Sequence, residues 1–123
     1  MFLVKTYVAP SGIHGLGVFA GEAIEAGAAL WRFEPGIDLV IEPERIAALP
    51  PAARAFLGTY SYESVDFPGR TVLSGDHARF LNHSDAPNTA VRHLETIAAR
   101  AIADGEEITC DYGAFCVGWT GFD

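Results

Sequence analysis

The sequence is poor in cysteine, in positive charge and in long apolar runs. Its only 2 cysteines, Cys110 and Cys116, are too few for a disulfide framework or a four-cysteine zinc site. No stretch approaches the roughly 18 consecutive apolar residues of a membrane-spanning helix, and the N-terminal segment MFLVKTYVAP is too polar for a secretory signal. We therefore expect two reduced thiols in a soluble cytoplasmic protein without a membrane anchor.

Positive charge is also scarce. The chain has 8 Lys and Arg residues against 16 Asp and Glu residues, which gives a formal net charge of −8. Affinity for a nucleic-acid backbone comes mainly from clustered Lys and Arg side chains. The composition therefore argues against direct binding to nucleic acid and favours a basic partner.

Apolar residues make up 50% of the 123-residue chain, which is enough for the core of one domain. The 13 glycines and 7 prolines are spread along the sequence and divide it into short segments of mostly strand-like composition. The predicted strands cover residues 2–8, 16–20, 28–33, 37–41, 71–74, 89–94, 97–101 and 107–110. We expect a single mostly β domain over residues 1–123, made of several small sheets.

One helical pattern interrupts the strands, at about residues 43–60. Apolar and aromatic side chains recur there at spacings of three and four residues, namely Ile46, Leu49, Ala53, Phe56, Leu57 and Tyr60. Pro50 and Pro51 interrupt this pattern, and proline fits a helix only in its first turn. The sequence therefore predicts two short helices, the second with Pro51 in its first turn.

The glycines of Gly12-Ile-His-Gly-Leu-Gly17 do not match the dinucleotide-binding fingerprint, because a strand rather than a helix follows them. Strands do not alternate with long helices either, which argues against a doubly wound nucleotide-binding fold. An enzyme with this sequence needs another way to bind a nucleotide-like cofactor.

Three segments carry the most specific signal: GLGVFA at residues 15–20, RFLNHSDAPN at residues 79–88 and GEEITCDYG at residues 105–113. Their order, identities and separations resemble those of the SET-domain protein lysine methyltransferases, from about residue 5 to residue 113. The resemblance implies small β-sheets whose C-terminal segment passes through a loop of the preceding chain as a pseudoknot. It also implies that S-adenosylmethionine is the cofactor and that no metal is needed.

The resemblance assigns cofactor contacts to the first two segments and to the tail. Gly15 and Gly17 allow a backbone turn close to a ligand, and Asn82 with His83 offers hydrogen-bonding groups and a ring that suit an adenosine. Taken alone, the glycines are an ordinary turn and the Asn-His pair is a structural one. The candidate cofactor-binding residues are His14, Gly15, Leu16, Gly17, Arg79, Phe80, Asn82, His83 and Trp119.

Tyr112 is the candidate catalytic residue, because the resemblance places the matching hydroxyl beside the reacting methyl group and amine. Orienting the amine suits it better than acting as a general base, since an unperturbed tyrosine has a pKa near 10. The alternative is a tyrosine that merely caps a strand. Glu106 and Glu107, in the same segment, are expected only to stabilise the fold, and Asn88 is expected to tie the threaded loop.

An aromatic wall after the helical insert, the helical pattern at about residues 43–60, is expected to exclude water from the substrate lysine and to hold a methylated ammonium. One tyrosine of the pair Tyr60 and Tyr62 is expected to lie in the core instead. Phe115, Trp119 and Phe122 are expected to fold back from a tail at residues 114–123 and close the channel, the alternative being a frayed tail. The candidate substrate-channel residues are Tyr60, Tyr62, Ser74, Tyr112 and Phe115.

The chain departs from many family members at Asp85, where they have a cysteine that binds zinc with three later cysteines. Only Cys116 follows Tyr112 here, so we expect no zinc site. Substrate recognition is expected from the insert, the tail or a second copy of the chain, and a homodimer is one way to complete the cover of the channel.

Three functions stay open from the sequence. The first is a lysine methyltransferase acting on a basic protein or peptide, and the second is a SET-like module that binds a partner without catalysis. The third is methylation of a small amine or a non-lysine nitrogen. The intact Tyr112 and Asn82-His83 pair favours an enzyme.

Overall fold

Short strands form three small sheets in residues 1–119, the part of the chain that the computed structural model describes. Neither glycine nor proline continues a strand well, so their spread along the sequence keeps these strands short. The strands are β1 (Thr6–Pro10), β2 (Leu16–Ala20), β3 (Ala29–Arg32), β4 (Leu39–Ile41), β5 (Ser61–Glu63), β6 (Thr71–Leu73), β7 (Asn82–His83), β8 (Thr89–Arg92), β9 (Glu95–Ala98) and β10 (Glu107–Cys110). The predicted class, mostly β with several small sheets, is confirmed.

The largest sheet has the strand order β1-β2-β10-β7, so the last strand of the described chain lies in its interior. β10 is antiparallel to β2 and parallel to β7, with Thr109 opposite Asn82. The buried Asn88 reinforces this contact, because it accepts from the Thr109 N–H at 2.9 Å and donates to the Glu107 carbonyl at 2.8 Å. Earlier parts of the chain thus hold β10 on both sides, as the implied pseudoknot requires.

The other two sheets have the orders β3-β9-β8 and β4-β6-β5. Between β4 and β5 the chain forms two helices, α1 (Pro43–Ala47) and α2 (Pro51–Tyr60). Pro51 is in the first turn of α2, where the missing N–H costs no helical hydrogen bond. The predicted pair of short helices is confirmed. No helix within residues 1–119 is long and apolar enough to cross a membrane.

Several strand boundaries differ from the sequence-based prediction. The first strand begins at Thr6 rather than residue 2, because Phe2 instead forms an isolated bridge with Trp31. The strand predicted at residues 97–101 lies at Glu95–Ala98, since Leu94 turns the chain with a φ of 56°. β5 and β7 were not predicted, because both are short and carry polar side chains. The strands predicted at 28–33, 37–41, 71–74 and 89–94 are each shorter by one or two residues at an end.

The main hydrophobic core joins the largest sheet to the β3-β9-β8 sheet. The core contains Val18 of β2, Leu30 of β3, Ile108 of β10 and Ile102, which precedes β10, and each of them is at most 1% exposed. Each such side chain stabilises the fold by roughly 1.5–3 kcal/mol on burial. Among the described residues, β4, β5 and β6 contribute no member to this cluster, so the third sheet packs separately.

Candidate active site

A cavity of about 120 Å³ lies where the helical insert and β5 face the strands of the other two sheets. One water molecule needs roughly 10–15 Å³ of such space, so the cavity can admit a side chain. All five residues predicted for a substrate channel line it, namely Tyr60, Tyr62, Ser74, Tyr112 and Phe115.

Tyr112 follows β10 directly and lies in a 3-10 turn at Tyr112–Ala114. Its backbone N–H donates to His83 Nδ1 at 3.0 Å, and its hydroxyl donates to the Leu81 carbonyl. Burial raises the pKa of the Tyr112 phenol above its ordinary value. The hydroxyl is therefore protonated near neutral pH, and the segment that leads into β7 fixes its direction.

Aromatic side chains form much of the cavity wall. Tyr62 meets Phe115 edge-on with ring centroids 5.0 Å apart, and Phe115 meets Tyr112 in the same way at 5.8 Å. Tyr60 lies against Phe80, with centroids 5.6 Å apart. Both Tyr60 and Tyr62 line the cavity, so neither is confined to the core as one of them was expected to be.

Two thiols also line the cavity, at positions two before and four after Tyr112, and the sequence analysis did not assign them to the site. Both are free, as predicted, with Cys110 buried and Cys116 partly buried. Burial raises the pKa of both thiols, that of Cys116 to about 12. Burial is also the main cause of the raised pKa of Tyr62. These thiols and phenols are neutral at physiological pH, and none is ready to accept a proton.

Charged side chains of both signs also line the cavity, namely the carboxylates of Asp66 and Glu95, which no sequence motif marked, and the guanidiniums of Arg79 and Arg92. Asp66 pairs with His93 Nδ1 at 2.9 Å, and Glu95 pairs with Arg32 Nε at 3.3 Å. Their side chains are 19% and 26% exposed, so they lie between the cavity and solvent. They place negative charge beside the neutral aromatic wall.

The glycine-rich loop at residues 11–17, whose last two residues are also the first two of β2, is tied to the second motif by Asn82. The Asn82 side-chain amide donates to the carbonyls of His14 at 3.0 Å and Leu16 at 3.1 Å. Gly15 has a φ of 47°, and a Cβ at that position would meet nothing within 4 Å. A Cβ at Gly17 would lie 2.5 Å from Glu107 Oε2. Gly15 therefore leaves an open turn, whereas Gly17 allows close packing.

His83 and Trp119 extend the aromatic group around Tyr112, with Trp119 centroids 5.1 Å from His83 and 4.8 Å from Tyr112. Because His83 Nδ1 accepts from the Tyr112 N–H, Nε2 carries the proton and donates to Asp85 at 2.8 Å. Both ring nitrogens are used, which leaves His83 no role as a general base. Phe122, the last predicted tail aromatic, lies outside the described residues.

Arg79 and Phe80 face the helical insert. The Arg79 guanidinium donates to the Ser74 carbonyl at 3.0 and 3.2 Å and lies 5.7 Å from the centroid of the Phe56 ring. Phe80 packs against Tyr60. Cofactor contact by Arg79 and Phe80 stays a prediction.

The SET-domain family matches this chain over residues 15–113, a range that holds all three sequence motifs. The chain belongs to the SET-domain family. It is 33% identical over 119 residues to human histone-lysine N-methyltransferase 2B and 31% identical over 115 residues to histone-lysine N-methyltransferase trithorax of Drosophila virilis. Each match covers 83% of this chain, which spans only 4% and 3% of the length of those proteins.

Solved structures share the fold of this SET domain. Polycomb Repressive Complex 2 of Chaetomium thermophilum bound to GSK126 matches with a TM-score of 0.71 and 20% identity, over 94% of this chain and 16% of that one. A candidate histone methyltransferase of Plasmodium falciparum matches with a TM-score of 0.60 and 24% identity, over 89% of this chain and 94% of that one. The predicted SET fold is confirmed.

The SET domain brings the predicted residues together in two groups, apart from Phe80, which packs against Tyr60. One group lines the cavity, and the other lies on or beside the loop at residues 11–17. Tyr112 joins them, because its N–H bonds to His83, which neighbours Asn82 in β7. Within residues 1–119, no three His, Cys, Asp or Glu side chains cluster closely enough to hold a metal ion.

Proposed function

We propose that this SET domain transfers a methyl group from S-adenosylmethionine to a lysine side chain of a basic protein or peptide. The observation that carries the proposal is the setting of Tyr112, whose protonated and directed hydroxyl lies in an aromatic cavity that can admit a side chain. The names of the two relatives, both histone-lysine N-methyltransferases, support the reaction class.

The residues around the glycine-rich loop fit this cofactor. The open side of Gly15 leaves the backbone accessible to a ligand, and the neighbouring His14 and Leu16 are exposed. His83 and Trp119 add aromatic surface next to Asn82. In the proposal, the loop holds the methionine end, and the His83 and Trp119 rings hold the adenine.

The nucleophile is the neutral lysine amine, whose lone pair forms the new bond. Deprotonating a free lysine at pH 7 costs about 4.6 kcal/mol, given an ordinary pKa of about 10.4. The aromatic wall lowers that cost because removing water disfavours the charged ammonium. When bound, S-adenosylmethionine would supply a methyl group carried by a positively charged sulfur, and the C–S bond would break as the N–C bond forms, which releases the sulfur as a neutral thioether.

Tyr112 orients the amine in this proposal. Its hydroxyl proton points to the Leu81 carbonyl, so the oxygen lone pairs are available to accept an amine N–H. Accepting that N–H turns the nitrogen lone pair toward the methyl carbon, which is an effect of alignment. The raised pKa of Tyr112 excludes the phenolate as a base near neutral pH, and the amine proton passes to solvent.

A basic substrate fits the charge of the molecule. Asp66 and Glu95 line the cavity alongside Arg79 and Arg92, and the net charge of −8 of the whole chain, rather than the lining, attracts a lysine-rich partner over longer distances. Histones are therefore the first substrates to test, and the same charge argues against direct contact with nucleic acid. The homodimer stays a prediction, which light scattering tests.

The test incubates the protein with labelled S-adenosylmethionine and purified histones, and locates the label by mass spectrometry. We expect labelled lysines, a rate that falls as salt is raised, and a loss of roughly 100-fold or more in kcat for Tyr112→Phe. Calorimetry with S-adenosylhomocysteine should give nearly equal affinities for both proteins. Cofactor binding without methylation of any basic protein or peptide would contradict the proposal and indicate a binding module instead.

A further inference from the structure

Two consecutive carboxylates, Glu106 and Glu107, have unrelated partners. Glu106 accepts from Asn88 Nδ2 at 2.9 Å and pairs with Arg100 at 2.8 Å, so it stays within the pseudoknot region. Glu107 instead reaches the glycine-rich loop, where both of its oxygens accept from Ser11 Oγ, at 2.8 and 2.9 Å. Glu106 therefore contacts the pseudoknot region, whereas Glu107 contacts the loop.

Ser11 links the Glu107 carboxylate to the backbone of the loop by hydrogen bonds. Its Oγ accepts from the Ile13 N–H at 2.9 Å and the His14 N–H at 3.4 Å, while it donates to Glu107. The Ser11 backbone N–H donates to the Gly15 carbonyl at 2.8 Å. The Glu107 carboxylate therefore holds the Ser11 side chain in place, and Ser11 in turn holds the backbone of the loop.

Asn82 holds the other side of the same loop. Its side-chain amide donates to Glu107 Oε2 at 3.1 Å as well as to the carbonyls of His14 and Leu16. Residues 12–16 of the loop are exposed, so burial of apolar surface does little to fix their shape. The hydrogen bonds that converge on Glu107 and Asn82 take that role.

We propose that Glu107 is a positioning residue, which holds the glycine-rich loop in the shape that binds the cofactor by fixing Ser11 and Asn82. The inference rests on the proposed function, because that function gives the loop its ligand. It assigns Glu107 more than the stabilising role expected from the sequence. It also explains Gly17, since any Cβ there would displace the Glu107 carboxylate.

The first test compares Glu107→Ala and Glu107→Gln with the adjacent control Glu106→Ala. We expect Glu107→Ala to weaken S-adenosylhomocysteine binding at least tenfold and to raise the KM for S-adenosylmethionine, with kcat at saturation within about threefold of wild type. Glu107→Gln should recover part of the affinity, because a glutamine oxygen at the Oε2 position can accept from both Ser11 and Asn82. Glu106→Ala should leave the affinity unchanged.

A second pair of variants displaces the carboxylate without removing it. The new methyl group of Gly17→Ala would lie 2.5 Å from Glu107 Oε2, whereas that of Gly58→Ala, in α2 and away from the loop, would meet nothing within 4 Å. We expect Gly17→Ala to reproduce the binding loss of Glu107→Ala, and Gly58→Ala to bind like wild type.

A third readout needs no cofactor. Amide hydrogen exchange in the free protein should become faster over residues 11–17 in Glu107→Ala and stay unchanged there in Glu106→Ala. Wild-type affinity in Glu107→Ala, or equal losses of affinity in the two alanine variants, would overturn the inference. If the wild-type protein binds no S-adenosylhomocysteine but the two alanine variants still differ in hydrogen exchange, the cofactor assignment is overturned and the positioning role of Glu107 is kept.

Discussion

The two walls of the cavity are built in different ways. Hydrogen bonds fix the wall next to β7 and β10, where Tyr112 is held by His83 Nδ1 and the Leu81 carbonyl. Ring contacts build much of the insert wall, where Tyr60 and Tyr62 pack edge-on against neighbouring aromatics. Hydrogen bonds are directional and locate atoms, whereas ring packing mainly excludes water. The first wall therefore suits alignment of reacting groups, and the second suits desolvation of a substrate amine.

The largest effect is expected at Asn88, which does not line the cavity but holds β10, the strand that leads to the hydrogen-bonded wall. Asn88→Ala leaves the buried Thr109 N–H and the Glu107 carbonyl without their partner, which should lower the free energy of unfolding by about 2–4 kcal/mol. Urea denaturation measures this loss. The control is Arg70→Ala, which removes an exposed ion pair with Glu42 and should cost less than about 1 kcal/mol. Equal losses in the two variants would contradict this account of the wall.

A smaller and more selective effect is expected from the insert wall. Tyr62→Ala removes aromatic surface from the cavity, so we expect the KM for a lysine peptide to rise about tenfold, which corresponds to about 1.4 kcal/mol. The affinity for S-adenosylhomocysteine should not change. Tyr7→Ala, on β1 and outside the cavity lining, is the control. A large fall in kcat at saturating peptide would show that the insert wall also aligns the reacting groups.

The effect that is smallest near neutral pH concerns the thiol of Cys116, because it appears only at alkaline pH. Burial raises the pKa of Cys116 from 9.0 to about 12, so the folded protein retains a proton that the unfolded chain releases above pH 9.0. The stabilising contribution is complete below that pH and is lost as the pH rises toward 12. We expect urea midpoints to fall above pH 9 in wild type and to fall less steeply in Cys116→Ser. Parallel pH curves for the two proteins would contradict this prediction.

Proline and glycine in the sequence predicted those elements whose ends depend on the backbone preferences of these two residue types. The proline pair separates α1 from α2, and the glycine-rich loop leads directly into β2, as expected. The place of β10 between β2 and β7 has no such signal, because the pairing joins distant residues and β7 has only two, Asn82 and His83. The family resemblance supplied that part of the fold.

The candidate site divides in the same way. The resemblance marked Tyr112 and the other channel residues, which the fold gathers around one cavity. Asp66 and Glu95 lie outside the three motifs, and Cys110 lies inside the third without an assigned role, so only the folded chain shows that they share one space. Glu107 was expected only to stabilise the fold, because its contact with Ser11 spans 96 positions along the chain.

The interior place of β10 also has a consequence for how the chain folds. Until β10 docks, β2 and β7 lack the partner that lies between them, and unpaired strand edges associate readily with other chains. Docking must wait for a long loop to close, which slows the step. Refolding should therefore compete with aggregation at high protein concentration. Because Tyr112 follows β10 directly, its surroundings form only when this strand inserts, and recovered activity should report completed folding.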